Sequence, residues 1–192
     1  MTSGGLSRRE MVGVLALTGA VTSGAATASR AEGLLSADNV DFDSVRHTIS
    51  ADALTTTLAL EALVNVGPLI DIGTGPFGRR RIVNILGGQF YGPRLQGVVL
   101  AGGADRQIVR ADGVRQLHAV YELKTDDGVI INVSNRVIIE DRVNAPRYAR
   151  SNVELSAPDG RYGWVNNRIF VGTLHPLQPQ HAAVFVRIFE VG

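Results

Sequence analysis

The sequence predicts an all-β fold, a closed or nearly closed antiparallel β-barrel, from three observations. Short apolar or alternating runs recur between residues 57 and 191 and are separated by clusters of Gly, Pro and Asp. Asp-Gly, which readily supplies the positive φ angles of a tight hairpin, occurs three times between such runs. None of these runs has the helical spacing of apolar residues. Because closure removes exposed strand edges, we expect a barrel, with a two-sheet sandwich as the alternative.

The candidate strands follow one another at turn-forming residues. Gly and Pro at residues 73–78 and 87–93 separate the first three strands, and Gly102-Gly103 separates the third from the fourth. The Asp-Gly pairs at residues 112–113, 127–128 and 159–160 predict three hairpins, and a Pro-rich turn at residues 174–181 precedes the last strand. In chain order the candidates are Thr57–Val66, Arg80–Leu86, Arg94–Leu100, Gln107–Arg110, Val114–Thr125, Val129–Ile139, Tyr162–Val171 and Ala182–Val191.

Residues 1–28 have the features of a targeting segment. Arg8 and Arg9 precede an uncharged stretch of 16 residues, Met11–Ala26, and Ala26-Thr27-Ala28 matches a small-residue cleavage site. Paired arginines before a weakly hydrophobic stretch are typical of a twin-arginine export signal. The alternative is an uncleaved anchor or a disordered arm, but a spanning helix needs ~20 apolar residues. We expect an exported protein, periplasmic or extracellular, without stable membrane insertion after the signal is removed.

Composition limits the remaining chain to a single neutral domain. The 192 residues are 45% hydrophobic and include no Cys, which excludes disulfides, thiol nucleophiles and thiol-ligated metal sites. Lys plus Arg is 19 and Asp plus Glu is 18, and loss of Arg8, Arg9 and Glu10 would leave 17 of each. Without a basic excess, nucleic acid is not an expected partner. We expect a linker or short helix over residues 29–52 and the β-barrel domain over residues 53–192.

The best-defined hairpin joins residues 117–124 to residues 129–136. Alternation places residues 117, 119, 121 and 123 on one face, together with residues 131, 133 and 135 of the returning strand. Tyr121 and Asn135 are therefore polar residues on an inner face that is otherwise aliphatic. Such groups must be hydrogen-bonded or cost ~1–3 kcal/mol each. Their partners are each other or the backbone, or else a ligand inside the barrel.

One segment carries a family resemblance. Residues 87–105 read Gly-Gly-Gln-Phe-Tyr-Gly-Pro-Arg-Leu-Gln-Gly-Val-Val-Leu-Ala-Gly-Gly-Ala-Asp. This resembles the pattern G-G-x-F-x-G-P-x-L-x-G-x-V-x-x-G-G-A-D of the bacterial and fungal family called "domain of unknown function 3237". The likeness continues through residues 110–113, 125–128, 135–136 and 162–166, and covers about Leu54 to Val191. It implies a lipocalin-like antiparallel barrel with a central cavity, but no catalytic residues, because the family's activity is largely unassigned.

The sequence also departs from that family pattern at two places. Arg106 stands where an aromatic residue usually follows the Gly-Gly-Ala-Asp stretch. The segment between Arg136 and Tyr162 is short. Both differences concern one wall of the implied pocket.

Three residues are candidate catalytic groups. Asp105 follows two glycines that allow a sharp turn, so its carboxylate can lie at a barrel mouth as a general acid or base, or simply cap a turn. Arg94 begins a strand after Gly92-Pro93 and can hold an anionic or carbonyl oxygen, or pair with Asp105. Tyr121, aided by Asn135 as a ligand-binding residue, can donate to a carbonyl or enolate oxygen.

Trp164 and Asn166 are further ligand-binding candidates. At i and i+2 of one predicted strand they would share a face and combine an aromatic platform with an amide. Alternatively, the single Trp plugs one end of the barrel. The four histidines lack the spacing of a metal site within one element, so we expect neither metal nor cofactor. The run Arg79–Arg81 is expected to be a solvated loop.

These residues favour two functions of different classes. The first is a cofactor-independent enzyme of lyase, isomerase or cyclase type, acting on a small apolar carbonyl or phenolic compound in the barrel cavity. The second is an exported lipocalin-like carrier that binds such a ligand without chemistry. In both cases the partner is a small molecule, and a homo-oligomer is compatible with either.

Overall fold

The computed structural model describes residues 40–141 and 143–192, so the signal predicted at residues 1–28, and the export inferred from it, lie outside the described residues. The chain divides into two compact units, Met1–Ser50 and Ala51–Gly192. In the first unit, helix α1 spans Phe42–Thr48, and the Asp41 side chain caps it by accepting from the backbone N–H groups of residues 43 and 44. Within the described ranges, no helix is both long enough and apolar enough to cross a membrane.

The second unit is an antiparallel β structure with one short 3-10 helix, Gly163–Asn167, between its seventh and eighth strands. Each strand alternates its side chains between two faces, as the runs in the sequence predict. The strands are β1 Thr56–Gly75, β2 Gly78–Tyr91, β3 Gln96–Val99, β4 Ala104–Val109, β5 Arg115–Thr125, β6 Ile130–Glu140, β7 Tyr148–Ser156, β8 Phe170–Pro176 and β9 Ala183–Val191.

The nine described strands form one ring-like sheet. Their order is β1-β9-β8-β7-β6-β5-β3-β2-β4, with additional β1–β2 and β5–β4 pairings. The long strand β1 pairs with β9 through Thr56–Asn65 and with β2 through Glu61–Gly75, which joins the two ends of the sheet. Strands β3 and β4 share one position in the ring, because both lie between β2 and β5.

The link between β3 and β4 depends on Gly103. Its carbonyl accepts from the Ile85 N–H at 2.8 Å, and the Gly102 N–H donates back to the Ile85 carbonyl at 3.2 Å. A Cβ added to Gly103 would lie 2.5 Å from the Cβ of Tyr121, closer than real Cβ atoms come. The glycine therefore allows this link to pass directly against β5.

The predicted hairpin residues lie where alternation puts them. Residues 131, 133, 135, 137 and 139 of β6 are buried, and β7 alternates buried and exposed positions throughout. Tyr121 and Asn135 both face inward and are each 2% exposed. The Asp-Gly turns at residues 112–113 and 127–128 join β4 to β5 and β5 to β6, with positive φ at Gly113 and Gly128.

One strand was missed in the sequence, and the predictions for three other elements were wrong. Strand β7 was not predicted, although its alternation is regular. The strand expected over Tyr162–Val171 begins only at Phe170, because the chain first forms the 3-10 helix, with the Val165 N–H donating to the Tyr162 carbonyl at 3.1 Å. The third Asp-Gly pair leads into this helix instead of closing a hairpin. Residues 79–81 lie in β2 and not in a loop.

The interior is filled at one end and hollow at the other. The 3-10 helix closes the filled end: Val165 is 1% exposed, and Trp164 packs on Phe170 with ring centroids 6.0 Å apart. The Tyr162 hydroxyl ties this helix to the β5–β6 turn by donating to Asp127 Oδ1 at 2.9 Å. At the opposite ends of β5 and β6 a smaller cluster is buried, formed by Leu117, Val137, Ile139 and Ala149.

We predict that Gly103→Ala destabilises the fold by at least about 2 kcal/mol, the usual scale of overpacking, because its methyl group would overlap Tyr121. Gly75→Ala is the control, since a Cβ there meets nothing within 4 Å and the residue lacks a positive φ. Urea unfolding of the two variants measures the difference. Equal midpoints would contradict the close approach.

Candidate functional site

The hollow end of the ring contains a cavity of about 790 Å³. Its walls are mainly aliphatic, and polar side chains line it at six strand positions and at two loop residues. The aliphatic lining includes Val64, Val66, Val83, Ile85, Leu117, Ala119, Val137, Leu174, Val184 and Val186. The polar and charged lining consists of Arg81, Asp105, Gln107, Arg115, Tyr121, Asn135, Arg147 and Gln178.

A groove of about 940 Å³ has a different lining, with residues such as Arg106, His118, Arg136 and Asn152. These residues occupy the strand positions that alternate with the inward ones. None of the predicted site residues lines this groove. The interior cavity is therefore the candidate site.

Strand register places the polar residues of the cavity relative to one another. Asp105 of β4 is paired with Ala119 of β5, and Ala119 is paired with Asn135 of β6. The three residues form a row across neighbouring strands, with Asp105 and Asn135 about 10 Å apart at two strand spacings. The small Ala119 side chain leaves space between them. Tyr121 lies two residues further along the same face of β5, about 7 Å away along the strand.

Asp105 has the properties of an acid–base group. The Gln107 side chain donates to its Oδ2 through Nε2 at 2.7 Å, whereas Oδ1 is buried and pairs with no described residue. Burial raises the pKa of Asp105 to about 6, although the hydrogen bonds from the Gln107 side chain and the His118 backbone, and the charge of Arg81, act in the opposite direction. Both protonation states are therefore accessible near neutral pH.

Tyr121 and Asn135 present polar atoms that the described part of the chain leaves unpaired. Asn135 Oδ1 is buried without a hydrogen bond. No residue in the ranges 40–141 and 143–192 hydrogen-bonds to the Tyr121 hydroxyl, and burial raises the pKa of this phenol, so it stays neutral. Within the described residues, Asn135 Oδ1 and the Tyr121 hydroxyl therefore bond neither to each other nor to the backbone.

Arg94 and Trp164 lie away from this cavity. The Arg94 guanidinium carbon is 3.6 Å from the centroid of the Trp164 ring, and Nη1 of Arg94 is 3.8 Å from Oε2 of Glu190. Both side chains line a separate small pocket of about 260 Å³ beside residues 57–59. Arg94 therefore does not pair with Asp105, and Trp164 belongs to the closed end of the ring.

Asn166 also lies outside the cavity and is engaged with the backbone. Its Oδ1 accepts from the Ala157 N–H and its Nδ2 donates to the Ala157 carbonyl, each at 2.9 Å. Trp164 and Asn166 share the 3-10 helix and not a strand, so the strand argument for their common face does not apply. The structure brings Asp105, Tyr121 and Asn135 together and leaves the other three candidates elsewhere.

Sequence reasoning missed five further polar residues of the cavity, of which Arg81 and Gln107 lie beside Asp105. Arg81 donates through Nη2 to Oε1 of Gln107 at 3.0 Å, and Gln107 in turn donates to Asp105, so the three form a chain of hydrogen bonds. Arg81 is paired with Gln107 in the β2–β4 register. The signal was present: Arg81, Val83 and Ile85 alternate along β2 in phase with the cavity, as do Asp105 and Gln107 on β4.

Among the residues that the structure describes, no three His, Asp or Glu side chains are close enough to hold a metal ion. The cavity offers one carboxyl group, one phenol, the three amides of Gln107, Asn135 and Gln178, and three arginine side chains.

Three comparisons place the chain among known proteins. A UPF0311 protein of Clostridium acetobutylicum is 34% identical over 145 residues, which are 69% of this chain and 89% of that protein. A crystal structure of a beta-barrel like protein from Acinetobacter baumannii matches with a TM-score of 0.66 and 25% identity, covering 74% of this chain and 99% of the other. A crystal structure described as an enzyme from Penicillium herquei matches with a TM-score of 0.61 and 22% identity, covering 75% and 98%, a likeness of fold alone.

The family resemblance seen in residues 87–105 is confirmed over nearly the whole second unit. The family model described as "Protein of unknown function (DUF3237)" matches residues 54–191, the same extent that the sequence motifs indicate. The match includes Asp105, Tyr121 and Asn135. The chain therefore belongs to the DUF3237 family.

Proposed function

We propose that the ring of strands is a lipocalin-like β-barrel and that the protein is a cofactor-independent enzyme of lyase, isomerase or cyclase type. Its substrate is a small apolar carbonyl or phenolic compound held in the cavity. One observation carries the proposal: Asp105 and Asn135 line a largely apolar cavity, and each has a buried oxygen that pairs with no described residue. More than about 90% of buried polar groups in proteins are paired, so two unpaired groups in one row support a ligand that pairs with them.

The size of the cavity supports the same proposal. Ligand pockets usually have volumes of about 300–1,000 Å³, apolar walls and a few converging polar groups. The cavity has a volume of about 790 Å³. A ligand above Ala119 can contact Asp105 on one side and Asn135 on the other, with its apolar body against the aliphatic lining.

The three groups supply the parts of a proton transfer at carbon. Asp105, with a pKa of about 6, takes a proton from the carbon next to a carbonyl group and returns it to another position. The neutral Tyr121 phenol donates to the carbonyl oxygen as negative charge develops there, and Asn135 Oδ1 accepts from a hydroxyl group of the ligand. Isomerisation, elimination and ring closure all proceed through such a step.

A carrier without chemistry is the second candidate, favoured by the aliphatic majority of the cavity wall. In a carrier, Asp105, Tyr121 and Asn135 orient the ligand through hydrogen bonds and no proton leaves carbon. The distinguishing property is turnover by the unaltered protein.

We expect the protein to catalyse hydrogen–deuterium exchange next to the carbonyl of at least one compound in a panel of aryl and cyclic ketones, followed by NMR in D₂O. Asp105→Asn should lower that rate by about a hundredfold or more, the usual contribution of a general base. The rate should rise with pH through about 6, because the carboxylate is the base.

Asp159→Asn is the matched control, because Asp159 is an exposed carboxylate in the turn between β7 and the 3-10 helix. This variant should catalyse the exchange at the same rate as the unaltered protein. Equal rates for the Asp105→Asn variant and the unaltered protein would refute the enzymatic role. Ketone binding without exchange in either protein would establish the carrier.

Binding should depend on the space above Ala119. Ala119→Leu is expected to reduce the affinity for the neutral fluorophore N-phenyl-1-naphthylamine by about tenfold or more, a loss of about 1.4 kcal/mol, since the larger side chain occupies the volume between Asp105 and Asn135. Val120→Leu, on the opposite face of the same strand, is the control. Unchanged fluorescence titrations in both variants would place the ligand outside this cavity.

Asp105 should also make the fold less stable as pH rises. Its pKa is about 6 in the folded protein against 3.8 for an unperturbed carboxyl, so the unfolded chain releases this proton first. The contribution of Asp105 to the free energy of unfolding therefore falls between about pH 4 and pH 6 and is lowest above that range. A shift of two units corresponds to about 3 kcal/mol.

Asp105→Asn keeps a hydrogen-bonding side chain beside Gln107 without the charge. We expect it to be more stable than the unaltered protein at pH 7.5 and to lose this advantage near pH 4, measured by urea unfolding. If Asp105→Asn is instead less stable than the unaltered protein at pH 7.5, the surroundings of the buried carboxylate stabilise its charge and the prediction is wrong.

A further inference from the structure

Three arginines line the cavity in addition to the residues used above. Arg81 comes from β2, Arg115 from the start of β5 and Arg147 from the residue before β7. We call Arg81, Arg115 and Arg147 the arginine cluster. Its members are partly buried, with 27% of the Arg115 side chain and 31% of the Arg147 side chain exposed.

The acidic groups beside the cluster, Asp141 and Asp105, carry one charge fewer than its three arginines. Asp141 pairs with both Arg115 and Arg147, and its own side chain is 64% exposed. Arg81 forms no ion pair with a described carboxylate; it bonds to the neutral Gln107 amide, and its Nε is buried without a hydrogen bond. Burial, followed by repulsion from Arg115, lowers the pKa of both Arg81 and Arg147.

Like charges held together beside an apolar cavity are unfavourable unless an anion neutralises them. Arginines on a solvated surface are free to spread apart, but here β2, β5 and the residue before β7 hold them against one cavity. Guanidinium groups match the two oxygens of a carboxylate in a bidentate arrangement. A carboxylate therefore suits both the charge and the donor geometry of the cluster.

The strand register gives the distance from the arginine cluster to the row formed by Asp105, Ala119 and Asn135. Arg81 is paired with Gln107, which lies two residues from Asp105 on β4 and so about 7 Å from it along the strand. Arg115 lies four residues from Ala119 on β5, about 13 Å along the strand. An anion on the cluster is thus separated from Asp105 by roughly the length of an aromatic ring or a short alkyl chain.

We propose that the ligand of this cavity is an amphiphilic carboxylate, whose carboxylate binds the arginine cluster while its apolar body lies against the aliphatic walls and reaches the Asp105 row. This inference rests on the proposed function only in requiring that the cavity holds a small molecule. It adds the charge of that molecule and the direction in which it binds.

Displacement of N-phenyl-1-naphthylamine from the cavity tests whether the cavity prefers an anionic ligand to a neutral one. Dodecanoate and dodecan-1-ol, which share a chain and differ in charge, are titrated against the protein with this neutral fluorophore bound. We expect dodecanoate to displace it at a concentration at least about tenfold lower, the effect of one hydrogen bond to a charged group. Arg81→Gln should remove most of this difference, measured within that variant as the ratio of the two displacing concentrations, so that any change in fluorophore affinity cancels.

Arg80→Gln is the matched control, because it removes the same charge from the exposed neighbour on the other face of β2. Arg81→Lys should restore part of the preference, since it keeps the charge but not the planar fork. Two results would overturn the inference without affecting the proposal that the cavity binds a small molecule. The first is equal displacement by dodecanoate and dodecan-1-ol, and the second is an equal loss of the preference for dodecanoate in Arg80→Gln and Arg81→Gln. Absence of fluorophore binding by the unaltered protein would instead refute the proposed function.

Discussion

Closure of the strand ring through β1 is the constraint on which the rest of the structure depends. By pairing with β9 on one side and β2 on the other, β1 satisfies the backbone hydrogen bonds that would otherwise remain at the two ends of the sheet. Because side chains alternate along every strand, closure also commits half of them to the interior. Asp105 and Asn135 face inward for this reason, and their polarity does not alter their direction.

The same constraint explains why a cavity exists. The 3-10 helix and the residues around Phe170 and Trp164 fill one end of the ring, so the large aromatic side chains are used there. Small and aliphatic residues such as Ala119 and Val83 line the other end and leave it hollow. A buried carboxyl group with a raised pKa reduces stability in this hollow end, a cost that is common where a site is built for binding or catalysis.

Charge is distributed along the cavity in a definite order. The arginine cluster lies toward the start of β5, the Asp105–Asn135 row follows, and Tyr121 lies furthest along the strand. The hydrogen-bonded chain from Arg81 through Gln107 to Asp105 links the first two regions. The neutral amide of Gln107 is therefore the group that connects the arginine cluster with Asp105.

The sequence by itself determined the strand-rich fold, the β5–β6 hairpin and the inward direction of Tyr121 and Asn135, because period-two alternation and Asp-Gly turns are local properties. It also indicated Asp105, through the glycines before it and the family pattern. Only the tertiary structure decided that Arg94 stacks on Trp164, that Asn166 binds the Ala157 backbone and that Arg81 and Gln107 join the cavity. Those contacts connect residues from different segments of the chain, and their partners depend on how the chain folds back on itself, which no local pattern specifies.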